Sequence, residues 1–341
     1  MAFFSLLYGT GIRLRLWGYS RGVFRQRSLP GFAVSVGNIT IGGTGKTPAV
    51  AMLAGWAKSE GHKVAVLSRG YGGTYKSKVL EVSDGYNIKA EPDETGDEPY
   101  LLAKRLSGIP VVLSKRRYLA ALFAHERFGA DFFVLDDGFQ HLQVRPDLNL
   151  ALIDAADPFG NGRLLPRGPL REPVDQLARA DAFILTRVRG RAPREGALKF
   201  LKEEFPSVPV FFADHKADKV VLPYSNETLM PGFLRGKKVL AYAGIARPEA
   251  FKETLWGLGA EVVYFKGFRD HYKFHRHDIM AIVERGEDLG VDYILTTEKD
   301  WVRIANIGFN HKRMGYLAIE FTLVSGQGDF LGMIRNGIKG K

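Results

Sequence analysis

Short apolar runs recur along the chain, each followed by a stretch of helical period. Residues 32–36, 63–67 (Lys-Val-Ala-Val-Leu), 109–113, 131–135 and 149–153 read as strands, and 48–60, 97–107 and 116–128 as helices between them. Strands that are apolar on both faces and alternate with helices predict a parallel α/β sheet, because such strands must be covered on both sides. Residues 155–175 break the rhythm with Asp157-Pro158-Phe159-Gly160-Asn161-Gly162, then Pro166, Gly168, Pro169 and Pro173. This cluster of chain-breaking residues predicts a crossing into a second domain. The alternation then resumes, with strands near 181–186, 208–212, 238–242, 261–265, 292–296 and 315–321 and helices near 196–205, 248–258 and 276–289. The pattern predicts an arm over 1–30, a first α/β domain over 31–155 and a second over 156–341.

The arm has its own pattern. Arg13, Arg15, Arg21, Arg25 and Arg27 are interleaved with Phe3, Phe4, Leu6, Leu7, Tyr8, Ile12, Leu14, Leu16, Trp17, Tyr19, Val23 and Phe24, without an acidic residue. No apolar run approaches the ~18 residues that span a bilayer. The apolar stretch precedes the charges and no small-residue cleavage site follows, so a signal peptide is not expected. Aromatic residues mixed with arginines suit a helix lying in a membrane interface. Apolar residues go most of the way round the helical wheel, so a helix packed on the domain with a basic exposed side is the competing reading.

Composition narrows the partners. The 341 residues carry 48 basic and 37 acidic side chains, a net charge of +11. That balance favours a polyanionic partner: nucleic acid, an anionic membrane surface or a phosphorylated substrate. Cysteine is absent, which excludes disulfides, thiolate nucleophiles and Cys-ligated zinc.

The chemistry starts at Ser35-Val36-Gly37-Asn38-Ile39-Thr40-Ile41-Gly42-Gly43-Thr44-Gly45-Lys46-Thr47-Pro48. A strand, a glycine-rich turn, Lys-Thr and a helix opened by Pro48 form the setting of a P-loop. Backbone N–H groups of Gly42, Gly43, Thr44 and Gly45 and the helix N-terminus would cradle phosphates. Lys46 would reach the β- and γ-phosphates, and Thr47 would hold Mg²⁺. Thr40 stands where the usual pattern has its first glycine, so the loop is a variant. A second signal is Asp131-Phe132-Phe133-Val134-Leu135-Asp136-Asp137, a buried strand ending in aspartates in the Walker B manner. Adjacent residues of a continuing strand point opposite ways, so one of Asp136 and Asp137 is expected to face the metal, with Asp137 favoured.

Other motifs stay ambiguous on spacing alone. Ser68-Arg69-Gly70-Tyr71-Gly72-Gly73 follows the second strand, where α/β sheets bind ligands, and Arg69 could meet phosphate there. Asp97, in Thr95-Gly96-Asp97-Glu98-Pro99, is either a helix cap or a carboxylate that accepts a proton from a substrate hydroxyl. The segment 269–278 gathers His271, His275 and His277, but Lys273 and Arg276 between them argue against a cation. Basic groups recur at Lys115-Arg116-Arg117, at Arg163, Arg167 and Arg171, and at Arg187, Arg189, Arg191 and Arg194. The group at 163–171 sits at the expected crossing, which suits an anionic substrate.

Taken together, the 36–48 loop, Leu67-Ser68-Arg69-Gly70-Tyr71-Gly72-Gly73, Gly96-Asp97-Glu98-Pro99, Leu135-Asp136-Asp137-Gly138-Phe139-Gln140-His141, the 162–172 segment, Asp270-His271-Tyr272 and Thr296-Thr297-Glu298-Lys299-Asp300 resemble the tetraacyldisaccharide 4′-kinase (lipid A 4′-kinase) family. The motifs fall in the family's order, and the Thr40 variant is part of its pattern. The resemblance implies a P-loop kinase domain, a second α/β domain closing over an interdomain active site, and a membrane-associated amino-terminal helix. It implies ATP and Mg²⁺ as cofactors and phosphoryl transfer to the 4′-hydroxyl of a tetraacylated glucosamine disaccharide 1-phosphate. The setting implied is the cytoplasmic face of a Gram-negative inner membrane. By motif, Asp97 is the catalytic base supported by His271, Lys46 stabilises the transferred group, and Thr47, Asp136 and Asp137 serve the metal. Arg69, Arg117, His141, Arg163 and Arg171 are candidates for the lipid substrate. Two other classes fit less well. Partitioning-type ATPases place a lysine where this chain has Ile41, and a nucleic-acid-dependent ATPase would mix basic and aromatic residues near the nucleotide rather than in the arm, so no nucleic-acid partner is expected.

Overall fold

A computed structural model describes residues 2–188, 195–305 and 307–341. Arg189, Arg191 and Arg194 lie outside the described residues. The chain forms two compact units, one of residues 1–215 and 321–341 and the other of residues 216–320.

In the first unit the buried runs pair as expected. The strands are β1 (Phe32–Gly37), β2 (Val64–Ser68), β3 (Leu80–Ser83), β4 (Val111–Leu113), β5 (Phe132–Asp136), β6 (Leu148–Asp154), β7 (Ala182–Thr186) and the start of β8 (Val210–Leu222). Their order in the sheet is β8-β7-β6-β1-β5-β2-β4-β3. β1 lies between β5 and β6, parallel to both, in a register that runs from Phe32 opposite Phe132 to Val36 opposite Asp136. β1, β2 and β5 are buried along their whole length, which explains their lack of polar alternation. β3, which the apolar pattern did not predict, is a short antiparallel edge strand.

The helices are α1 (Ala2–Ser20), α2 (Lys46–Ser59), α3 (Pro92–Thr95), α4 (Asp97–Arg105), α5 (Arg117–Phe128) and α6 (Glu195–Glu204). A further helix, α10 (Gln327–Lys339), returns from the carboxyl end. Its glycines at 328, 332 and 337 hide it from propensity reasoning. Packing compensates: Phe330 is fully buried with its ring 5.1 Å from that of Phe211, and Arg335 makes two 2.8 Å bonds to Glu60.

The break at 155–175 is not a domain crossing. β6, β7 and the start of β8 extend the first sheet, and the intervening segment folds back onto its own unit. Arg171 N–H donates to the Ile39 carbonyl at 2.7 Å, and Thr40 forms an antiparallel bridge with Leu170. The boundary between units falls instead inside the long strand β8, which the local pattern shows only as its first, apolar half.

α1 settles which side of the arm packs. Ser5, Tyr8, Gly9, Ile12, Arg15, Leu16, Gly18 and Tyr19 are partly or fully buried, spaced as one helical face. Ser5 Oγ donates to the Leu164 carbonyl, Tyr8 Oη to the Arg171 carbonyl and an Arg15 Nη to the Gln140 carbonyl, at 2.8–2.9 Å. The opposite face is apolar and exposed: Phe3, Phe4, Leu6, Leu7, Leu14 and Trp17 each keep more than half of their surface in solvent. Both faces carry apolar residues, which is why the wheel looks blunt. Among the described residues no helix is long and apolar enough to cross a membrane.

The second unit carries the remainder of β8, then β9 (Glu227–Leu229), β10 (Lys238–Ala243), α7 (Pro248–Gly257), β11 (Glu261–Gly267), α8 (Arg276–Asp288), β12 (Tyr293–Thr297), α9 (Glu298–Ile304) and β13 (Met314–Ser325), which leads back to the first unit. β11, β10, β12 and β13 are neighbours in that order and run parallel.

Phe330→Ala should cost about 3 kcal/mol of stability, the lower end for truncating a buried Phe. Urea unfolding checks this; a loss under about 1 kcal/mol would make α10 an appendage rather than part of the first core.

Candidate active site

The P-loop owes its shape to neighbours as much as to glycine. The Ile41 N–H donates to the Pro169 carbonyl at 2.8 Å, and the Thr40–Leu170 bridge holds residue 40 in extended backbone. No left-handed angle is needed at residue 40, so threonine replaces the usual glycine. Gly45 cannot be replaced in this way. Its φ is +88°, and an added Cβ would lie 2.3 Å from His215 Nε2.

Lys46 is buried and fixed before any ligand arrives. Its Nζ donates to Asn38 Oδ1 at 3.1 Å and sits 3.5 Å from Asp137 Oδ1. Asn38 Nδ2 donates to the Thr40 carbonyl at 2.9 Å, and Gln140 Nε2 donates to the Asn38 carbonyl at 2.8 Å. An Arg187 guanidinium nitrogen bonds the Gly43 carbonyl while another bonds Asp154. Asn38, Gln140, Arg187 and His215 are polar groups that motif reasoning missed. Only Asn38 and Gln140 carried a signal, as polar residues inside the motifs themselves.

The two aspartates do not alternate along a strand. β5 ends at Asp136, and Asp137 turns into the left-handed region at φ +48°. Asp137, the residue favoured from sequence, is occupied: Arg171 Nη1 donates to both its oxygens at 2.7 and 3.0 Å. Burial pushes its carboxyl up, but Lys46 and Arg171 outweigh burial and hold it below the usual range. Asp136 is the one left with spare capacity. Its Oδ2 accepts from Ser68 Oγ at 2.8 Å, and its Oδ1 is buried with no partner among the described residues. Burial, then Glu98 and Asp137, raise its carboxyl to about 7. A cation there would reverse that shift. Thr44 Oγ1 is likewise buried and unpartnered. An orphaned carboxylate oxygen and an orphaned hydroxyl beside a phosphate-type loop fit a nucleotide with Mg²⁺, which takes one or two carboxylates and keeps other positions for phosphate and water.

The helix-cap reading of Asp97 does not hold: Gly96 is the cap residue, and Asp97 opens α4. The influence of the adjacent Glu98 on Asp136 places the first turn of α4 at the same end of the sheet. The 69–75 loop is tied to α3 just before it, with Thr74 and Tyr75 N–H groups donating to the Asp93 and Glu94 carbonyls.

Of the substrate candidates, Arg69, Arg117 and His141 converge. Burial first, then Arg117, Arg15 and Arg69, push His141 down to about 3, so it is neutral. Arg117 is buried beneath the carbonyl of Asp136 and lowered to about 10 by burial, so it stays charged at neutral pH. Arg171 is committed to Asp137, and Arg163 is exposed beside the docking site of α1.

His271 belongs to the second unit. It too is left-handed, at φ +56°, and an Arg303 Nη lies 3.4 Å from its Nδ1. Arg303 is braced by Asp300 at 2.8 Å and the Gly244 carbonyl at 2.9 Å. Asp300 also accepts from Gly244 N–H and Thr297 Oγ1. The Thr-Thr-Glu-Lys-Asp stretch is therefore the scaffold behind His271.

These features meet a matching family. The model of the tetraacyldisaccharide-1-P 4′-kinase family matches residues 1–339. The chain belongs to that family. The tetraacyldisaccharide 4′-kinase of Syntrophus aciditrophicus is 43% identical over 310 residues, 89% of this chain and 83% of the relative. That of Pelobacter propionicus is 42% identical over 305 residues, covering 89% and 82%. The structure of LpxK from Aquifex aeolicus in complex with ATP aligns with a TM-score of 0.78 at 33% identity, over 98% of this chain and 97% of that one. A tetraacyldisaccharide 4′-kinase needs a phosphate loop, a metal-capable carboxylate and an acceptor side; the first two stand together here at one end of the sheet.

The raised Asp136 has a stability consequence. Metal-free folded protein holds that proton to about pH 7, whereas the unfolded chain releases it near 3.8. The folded state binds more protons in this window, so the contribution of Asp136 to stability falls as pH rises from about 4 to about 7. Asp136→Asn removes the effect. In EDTA, the variant should gain on wild type as pH rises from about 4 to about 7; a difference that stays flat there would reject the raised value.

Proposed function

We propose that the first unit binds ATP at the 42–47 loop and that Asp97 and His271 carry out the transfer for which the family is named. The reaction is ATP-dependent phosphorylation of a tetraacyldisaccharide 1-phosphate, the lipid A precursor, at its 4′ position. The family match over nearly the whole chain carries this conclusion.

Lys46, already aligned by Asn38 and Asp137, and the loop amides would stabilise charge spreading over the transferred phosphoryl group. Asp136, through its unpartnered oxygen, and Thr47 would hold Mg²⁺. Mg²⁺ held there would supply neutralisation of the negative charge that develops on the transferred phosphoryl group. Asp97 would orient the sugar hydroxyl and take its proton late, when bond formation has made it acidic, so an ordinary carboxylate suffices. Arg69, Arg117 and neutral His141 form the cationic side suited to the phosphorylated sugar.

The outward face of α1 supports a membrane-bound setting; the family resemblance would put it at the cytoplasmic face of a Gram-negative inner membrane. A helix that turns Ser5, Tyr8 and Arg15 inward and Phe3, Leu6 and Trp17 outward is inverted for a protein surrounded by water. Such a face suits insertion among acyl chains.

The decisive assay supplies ATP, Mg²⁺ and the acylated disaccharide 1-phosphate in detergent; ATP binding without a 4′-phosphorylated product would sink the proposal. Asp97→Ala should lower kcat by roughly 10²–10⁴ with ATP binding retained. If His271 serves the same step, the Asp97→Ala/His271→Ala double variant should be little worse than the poorer single one, whereas multiplied losses would separate the two roles. Phe4→Ser/Trp17→Ser should weaken partitioning onto lipid vesicles by about tenfold or more, as expected for removing buried apolar area, with kcat on detergent-dispersed substrate kept; unchanged partitioning would remove α1 from the membrane.

A further inference from the structure

Beyond the end of α1 the chain runs along the surface of its unit before entering β1. Arg27 N–H donates to the Gln143 carbonyl at 2.9 Å, and Gln26 Nε2 donates to the Leu142 carbonyl at 2.9 Å, so this stretch is held in place. It lines a cavity of about 350 Å³ together with α5. The lining is Arg25, Gln26, Arg27, Ser28 and Tyr118, every one a hydrogen-bonding side chain and two of them cationic. The Arg27 guanidinium lies 4.6 Å from the centre of the Tyr118 ring, a cation–π contact that orients the fork without using its N–H groups.

The surroundings share one sign. Tyr118 is the second residue of α5, so the positive end of that helix faces the same region. Lys115 and Arg116 precede it and are exposed. Arg145 N–H donates to the Arg27 carbonyl, which brings another exposed arginine alongside. Among the described residues none of these cations has a carboxylate within ion-pair distance, and residues 2–30 contain no acidic side chain. A concave pair of guanidinium groups, one of them oriented by the Tyr118 ring, is the chemistry that recognises a phosphate.

Its position says which phosphate. The cavity follows α1, with its exposed apolar face, directly in the chain, and Val23, 63% exposed, lies between the two in sequence. An apolar surface with a phosphate-binding hollow beside it matches a phospholipid: acyl chains against one, headgroup in the other.

We propose that Arg25, Arg27 and Tyr118 form a binding site for the headgroup phosphate of an anionic membrane phospholipid. The site seats the enzyme on the bilayer by a defined contact in addition to diffuse charge. The proposal rests on the membrane reading of α1.

The test uses full-length protein and vesicles of phosphatidylcholine with and without about one-fifth phosphatidylglycerol, in physiological salt where diffuse attraction is screened. Wild type should bind the anionic vesicles at least tenfold more tightly. Arg25→Gln/Arg27→Gln should abolish that preference while keeping binding to neutral vesicles and kcat on detergent-dispersed substrate. Arg13→Gln/Arg21→Gln, with the same change in charge outside the cavity, should keep most of it. Tyr118→Leu, which leaves the charge intact, should lose severalfold through the unstacked Arg27. Equal losses in the two arginine pairs would reduce the effect to diffuse charge and overturn the site. So would a preference that survives Arg25→Gln/Arg27→Gln. Inorganic phosphate at millimolar concentration should compete only weakly; full displacement would make the site one for free phosphate. Loss of neutral-vesicle binding in the Phe4→Ser/Trp17→Ser variant tests α1 separately, so the two readings can fail independently.

Discussion

Two carboxylates at the end of one buried strand create the problem that the first unit is built to solve. Asp136 and Asp137 cannot both be ionised in a buried place without nearby cations, since desolvation disfavours each charge. Asp137 is answered by Lys46 from the phosphate loop and by Arg171 from the segment that follows β6. Asp136 has Ser68 and the more distant charges of Lys46 and Arg117, which do not outweigh burial, and its carboxyl remains raised. Such incomplete compensation costs stability in the metal-free protein. It also leaves a site that a divalent cation would complete.

The same compensation ties distant parts of the chain together. Arg171 can reach Asp137 because its backbone is pinned to Ile39 on one side and its carbonyl accepts from Tyr8 of α1 on the other. Gln140, three residues after Asp137, accepts from Arg15 of α1 through its carbonyl and donates to the carbonyl of Asn38, whose side chain holds Lys46. A continuous polar path therefore runs from the amino-terminal helix to the phosphate loop. Loss of the whole arm would disturb Lys46 as well as the proposed membrane contact, which is why changes confined to the outward face of α1 separate the two.

Sequence reasoning reached the parts of this arrangement that are local. Strands buried on both faces announce themselves as uninterrupted apolar runs, and β1, β2, β5 and β6 fall within a residue or two of expectation. The P-loop was legible because its chemistry is written in consecutive residues. What stayed hidden depends on partners far along the chain. The proline- and glycine-rich stretch after β6 looks like a linker unless its pairing with Thr40 and Ile41 is known. α10 looks too glycine-rich to be a helix unless Phe211 is there to receive Phe330. Asp137 looks like the better metal ligand until Arg171 is placed on it. The cap reading of Asp97 was open because spacing does not reveal that Gly96, with its positive φ, takes the cap position.

The arm shows the same limit from the other direction. Its helical wheel is blunt because periodicity counts apolar residues without knowing which of them are covered. The packed face is held by hydrogen bonds from Ser5, Tyr8 and Arg15 and by the close approach that Gly9 permits toward Leu164. Polar and small residues share the packed face with Ile12 and Leu16, and Phe3, Leu6, Leu7 and Trp17 face outward. Docked largely through polar contacts, α1 keeps its apolar side for the proposed bilayer, where the arginines that follow would meet headgroups rather than compete with it.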